Sequence, residues 1–146
     1  MIRIIPTSQV RDYWPKILPL LKPAIELGRR ATPEETLKWL ERGDYQLWAV
    51  GTAIEIEAAA TTAIVNYPGS KWLCVVHCGG RNMWRWLQDG VDTLEAWAVG
   101  NGCVDAEGNP LIEIVGRVEW GHVLPGYKTT GIVVERMPVS ERKAAS

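Results

Sequence analysis

An apolar run, Lys71-Trp-Leu-Cys-Val-Val-His-Cys78, ends in Gly79-Gly80-Arg81-Asn82 and leads into a long amphipathic stretch. A strand, a glycine turn and a helix start in that order expose backbone N–H groups at the positive end of a helix dipole, where anions bind. The stretch predicts a place for a phosphorylated ligand. Metal and thiol chemistry fare less well. On a regular strand Cys74 and Cys78 share a face, but their sulfurs lie roughly 13 Å apart, too far for one tetrahedral ion even with His77, His122 or Cys103 nearby. A Cys–His nucleophile is excluded likewise, because His77 and Cys78 are adjacent and point to opposite faces. No metal site is expected.

The elements that must carry this stretch follow from periodicity. Arg3–Ile5 reads as a short strand closed by Pro6. Ser8 is an N-cap candidate, and Val10, Tyr13/Trp14, Ile17 and Leu21 recur at helical spacing. Pro15, Pro19 and Pro23 each remove an N–H and disfavour helix just before them, so broken helical turns are expected up to Gly28. Thr32-Pro33-Glu34-Glu35 predicts a capping box, with Gly43-Asp44 stopping the helix that follows. From Tyr45 the period shortens, giving strands over 46–50, 53–66 and 71–78 with turns at Gly51-Thr52 and Tyr67-Pro68-Gly69-Ser70. Short connections make them an antiparallel meander.

A helix opening at Asn82 places Met83, Trp86, Leu87, Val91, Leu94 and Ala98 on one face, and Gly100 or Gly102 ends it. Trp86 is assigned to the core and Trp84 to a cleft lid or a partner contact. Leu111–Val115 reads as a buried strand, Trp120–Leu124 as a short helical turn and Thr129–Arg136 as a last strand. Pro138–Ser146 is a polar tail.

The 146 residues suffice for one domain with its own core, and 47% apolar against 23% charged residues is a globular balance. A net charge of −1, with only Arg142-Lys143 as a basic cluster, offers no footprint for nucleic acid. No apolar run spans a membrane and the start lacks a signal peptide's h-region, so a cytoplasmic location is expected. Three cysteines suit a reducing compartment. Eight Trp and no Phe suggest that some indoles line a contact surface.

The order strand, two helices, three strands, long helix, strand, short helix, strand resembles the Gcn5-related N-acetyltransferase family over nearly the whole chain. In that family the strand before the long helix splays from its neighbour and acetyl-CoA lies in the gap. The pyrophosphate rests on amides of a loop reading Gln/Arg-x-x-Gly-x-Gly/Ala. Here His77-Cys78-Gly79-Gly80-Arg81-Asn82 takes that place: Gly80 matches the central glycine, whereas His77 and Asn82 replace the first and last residues. Glu95-Ala-Trp-Ala-Val-Gly-Asn-Gly-Cys103, Ile112-Glu-Ile-Val-Gly-Arg117, Trp120, Leu124, Gly126-Tyr127 and the turn Asn66-Tyr67-Pro68 look like the small acetyltransferase-like proteins encoded by tailed bacteriophages.

The resemblance implies an α/β (α+β) fold. One acetyltransferase-like domain would span residues 1–137, with a tail at 138–146. Its central sheet would be mixed and mostly antiparallel, with a splayed strand pair and helices on both faces. It implies acetyl-CoA as cofactor, contacted by Val76, Cys78, Gly79, Gly80, Arg81, Asn82 and Met83. It also implies an amine substrate, with His77 as base or backbone-orienting group and Glu113 as a second base candidate. Tyr127 would protonate the leaving thiolate or serve as a structural tyrosine. Glu55 and Glu57, on one strand face, would bind a cationic amine or simply meet water. Two functions are compatible with this pattern. One is an acyl-CoA-dependent N-acyltransferase; the other is a catalytically degenerate phage protein acting in the virion or on the host, with a homo-oligomer compatible with either.

Overall fold

The computed structural model describes residues 1–116, 123–131 and 136. The chain divides into two compact units, 1–116 and 117–146. The first carries β1 (Ile2–Ile5), α1 (Val10–Gly28), α2 (Pro33–Arg42), β2 (Gln46–Gly51), β3 (Ile56–Tyr67), β4 (Ser70–Gly80), α3 (Met83–Gly100) and β5 (Ile112–Ile114). The five strands lie in the order β1-β2-β3-β4-β5. All neighbours are antiparallel except β4 and β5, which run parallel. The meander expected from the short connections is present. Among the described residues no helix is long and apolar enough to cross a membrane.

α1 is one continuous helix, not the broken turns that its prolines predict. The reason is their spacing. Residues four apart stack along one face of a helix, so Pro15, Pro19 and Pro23 form a single exposed line. The carbonyls they leave without an N–H partner, those of Arg11, Pro15 and Pro19, belong to exposed residues, so water can solvate them. The opposite face buries Val10, Trp14, Ile17, Leu21 and Ile25. Ser8 is not the cap; it lies in a 3-10 turn, Thr7–Gln9, and Gln9 precedes α1 without a side-chain bond. α2 starts on the expected capping box: Glu35 N–H donates to Thr32 Oγ1 at 3.1 Å, and Thr32 N–H donates to Glu35 Oε1 at 3.1 Å.

Alternation along the strands sorts two cores onto the two faces of the sheet. Ile5, Leu47, Ala49 and Ala59 pack with the buried residues of α1 and with Leu40 of α2. On the other face Leu73 packs with Ala98 and Cys103, and with Ile64, Leu94, Trp97 and Ile112. Trp48 meets Trp97 edge-on at 5.6 Å between ring centroids. Its Nε1–H donates to Thr62 Oγ1 at 2.9 Å, and that hydroxyl donates to Gln46 Oε1 at 2.9 Å, so this buried polar chain is satisfied.

β4 runs two residues further than its apolar run predicts. Gly79 lies opposite Ala59 and Gly80 opposite Ala58, so the double glycine is strand and not turn. The second unit contains a turn in which Tyr127 N–H donates to Leu124 O at 3.1 Å, and Leu124 is buried. The short helix expected at 120–124 and the strand expected at 129–136 lie partly outside the described residues, and the tail at 138–146 lies wholly outside them.

Candidate functional site

The site is built on an irregularity of β4. Val75 lies opposite Thr62 and His77 opposite Thr61, which leaves Val76 as an extra residue without a partner on β3. Such a bulge flips every later side chain to the other face. His77 therefore points to the α1 face, together with Cys74, rather than to the α3 face that a regular strand would give it. Cys74 and Cys78, expected on one face, lie on opposite faces for the same reason, opposite Ala63 and Ala60.

The bulge also coincides with the end of pairing on β4's far side. β5 is in register with β4 only from Leu73/Ile112 to Val75/Ile114, with Val115 N–H donating to Val75 O at 3.2 Å as the last bond. Beyond it, among the described residues, His77–Gly80 is paired with β3 alone. Successive amides of a strand point alternately to its two sides, so alternate N–H groups of this segment turn away from β3 and have no partner strand among the described residues. The splayed strand pair that the resemblance implies, with the wedge between its strands, would lie at this end of the β4–β5 pairing.

The α3 N-terminus lies just past that segment. Asn82 precedes it in the left-handed region, at φ 57°, and its side chain does not cap the helix. Instead Asn82 Nδ2 donates to Glu57 Oε1 at 3.2 Å. The first N–H groups of α3, on Met83 and Trp84, have no partner within the helix. Arg81 N–H is already committed to Glu57 O at 3.0 Å. Arg85 pairs with Glu57 at 3.2 Å and Arg81 with Glu55 at 3.8 Å, so the two carboxylates anchor this corner to the sheet. Trp86 is half-buried, not core, and its Nε1–H donates to Arg81 O at 2.9 Å. Trp84 is 82% exposed.

Gly79 and Gly80 have packing reasons of their own. A Cβ on Gly79 would overlap the Leu20 carbonyl oxygen, because α1 crosses β4 at that point with backbone against backbone. Gly80 has φ +145°, and a Cβ there would lie 2.5 Å from both Ala58 Cα and Glu57 O. Neither glycine requires a phosphate to explain it.

On the α1 face, His77 is 7% exposed and its Nδ1 lies 2.8 Å from the hydroxyl of Thr61, which is fully buried. Nε2 has no partner. Among the described residues the only fully buried side-chain nitrogen or oxygen without a partner is Arg3 Nη2, so His77 Nε2 keeps some contact with solvent. Burial holds the imidazole pKa below its usual value. Between the lowered folded pKa and the ordinary unfolded one of about 6.5, the unfolded chain binds more protons, so stability rises with pH. Urea midpoints should therefore fall as the pH drops below about 6.5, and His77→Gln should flatten that fall.

Glu113 is on the same face, opposite Cys74. It is half-buried and held in place: Tyr67 OH donates to Oε1 at 2.9 Å, and the Cys74 thiol also bonds to it. Burial and Glu113 push the Cys74 thiol up to about 12, and burial pushes Cys78 up to about 11, so neither is a nucleophile at neutral pH. Among the described residues no hydrogen bond joins His77 to Glu113; they lie on neighbouring strands, three residues or roughly 10 Å apart along the strand direction. Tyr127 belongs to the second unit and is described there alone. Thr61 and Tyr67 carry no sequence signal for these roles, since both depend on the bulge and on pairing between distant strands.

No protein-family model matches the chain, and no curated protein matches it. Solved structures do. A GNAT family acetyltransferase from Staphylococcus aureus subsp. aureus USA300_TCH1516 superposes with a TM-score of 0.58 at 14% identity, over 93% of this chain and 98% of that one. A GCN5-related N-acetyltransferase from Ralstonia eutropha JMP134 gives 0.58 at 12% identity, over 94% and 97%. A ribosomal-protein-alanine N-acetyltransferase from Brucella melitensis biovar Abortus 2308 gives 0.57 at 11%, over 93% and 99%. The fold is that of the GNAT acetyltransferases.

Proposed function

We propose that this chain is an acyl-CoA-dependent N-acyltransferase with a divergent pyrophosphate loop. One observation carries the reading: the β4–β5 pair opens after Val75 and Val115, just ahead of a helix N-terminus that no side chain caps. The residues present fit such a ligand. Free amides of Met83 and Trp84 and the dipole of an 18-residue helix would hold the pyrophosphate. Arg81 and Arg85, both more than half exposed, can exchange their glutamates for phosphate. Backbone N–H groups on the wedge side of Val76–Gly80 would hold the chain that leads to the thioester.

Acyl-CoA supplies an activated acyl group when bound. The protein has to polarise its carbonyl, admit a neutral amine and exclude competing water. His77 is the side chain of the bulged segment with a free ring nitrogen. Glu113, fixed by Tyr67 and Cys74, offers a carboxylate to an incoming ammonium group before the amine loses its proton.

Calorimetry with acetyl-CoA tests the reading, and Trp84→Glu sharpens it. A carboxylate in the first turn favours helix α3 by interaction with its dipole and sits at an exposed position, so the fold should be kept or slightly strengthened. The same charge repels a pyrophosphate. The expected result is micromolar binding to the wild type, weakened at least about tenfold in the variant. No binding at millimolar ligand would overturn the enzyme reading.

A second reading has its own support. β4 continues as strand through both glycines and the Arg81 amide is taken, while Trp84 stands exposed beside Met83. A fold member without its cofactor, working as a phage virion or host-interaction protein, would have these features. Absence of acetyl-CoA binding, together with the chain's presence in purified particles, would favour it.

A further inference from the structure

We infer that Thr61 is a positioning residue that sets the tautomer of His77, placing its single ring proton on Nε2 so that the imidazole offers a hydrogen-bond donor, not a lone pair, to whatever enters the wedge. Thr61 is fully buried in the middle of β3, and its hydroxyl has one partner, His77 Nδ1 at 2.8 Å. A hydroxyl owns one proton that must find an acceptor and two lone pairs that can be left partly idle. If Nδ1 carried the ring proton, it would donate to Oγ1 and the Thr61 proton would be buried without an acceptor. Such a loss costs about 1–3 kcal/mol. If Thr61 donates instead, both its proton and the Nδ1 lone pair are used, and the ring proton must sit on Nε2.

His77 is also nine-tenths buried with no carboxylate bonded to it, which keeps the ring neutral and leaves it only these two forms. The β4 bulge completes the device. Without the extra residue Val76, His77 would face α3 and never meet Thr61.

An Nε2–H donor selects a ligand that presents an acceptor oxygen. Resting on the acyltransferase reading, that oxygen is the thioester carbonyl, whose charge grows as the amine attacks; an imidazole proton aimed there stabilises that charge without being transferred. Deprotonation of the amine then falls to solvent or to Glu113 and not to His77.

The tautomer can be read on the free protein. In ¹⁵N-histidine-labelled protein, long-range ¹⁵N–¹H correlation distinguishes a protonated Nε2 from a protonated Nδ1, and a His77→Gln sample assigns the signal against the other histidine, His122. The expected pattern is Nε2–H in the wild type, the same pattern in Thr61→Ser, and a shift towards a tautomer mixture in Thr61→Val. A protonated Nδ1 in the wild type, or no change in Thr61→Val, overturns the inference. Addition of acetyl-CoA then separates the two proposals. Movement of the Nε2–H resonance on binding supports the carbonyl contact. Binding without such movement overturns that contact, and lack of binding overturns the acyltransferase reading while leaving the tautomer result intact.

Discussion

Gly79→Ala is expected to lower the stability of the protein by about 3 kcal/mol, read as a large drop in the urea midpoint at unchanged slope. The added methyl has no room, since it would overlap the Leu20 carbonyl, part of the backbone of α1. Backbone cannot rotate away as a long side chain can, so α1 must lift from β4. Lifting it opens the core of Ile17, Leu21 and Ile25. Gly69→Ala is the control. Nothing lies within 4 Å of a Cβ there and its φ is not positive, so a change within about 0.5 kcal/mol is expected. Equal midpoints for the two variants would mean that α1 does not approach β4 as described. Gly80→Ala should behave like Gly79→Ala, with a left-handed φ added to the overlap. Substitution of either glycine is therefore a poor probe of cofactor binding, because loss of ligand and loss of fold would coincide.

The second large effect concerns chemistry. Under the acyltransferase reading, His77→Phe should reduce kcat by about 10²–10³ while leaving KM for acetyl-CoA nearly unchanged, as loss of one donor to a developing oxyanion does. The aromatic ring keeps the volume beside Thr61 but has no N–H. Thr61→Ser should retain activity and Thr61→Val lose part of it. Steady-state rates over a panel of primary amines, with folding checked by circular dichroism, would decide. A change confined to KM would assign His77 to binding alone, and wild-type rates in His77→Phe would remove it from the mechanism.

These two experiments probe features of different legibility. The capping box at Thr32, the stop at Gly43 and the amphipathic pattern of α3 involve residues a few positions apart, where local hydrogen bonds and periodicity dominate. The order of strand and helix at the β4–α3 junction was legible for the same reason, as an apolar run followed by an amphipathic one. The continuity of α1 departs from its proline pattern although the signal is local. The four-residue interval of its prolines signals an exposed line that water can satisfy, but only if the helix is known to bury its other face. The contact of Asn82 with Glu57, a residue of the neighbouring strand, leaves no mark on the residues around Asn82 in the chain.

By itself the sequence determined the kind of elements and their order, because both rest on neighbours along the chain. Tertiary structure alone decided which way the chemistry faces. One unpaired residue, Val76, turns His77 from the α3 side to Thr61, and parallel pairing with β5 brings Glu113 beside Cys74 and Tyr67. Strand register is a contest between distant segments, and a slip of one residue reverses every side chain beyond it. No local pattern can report that outcome.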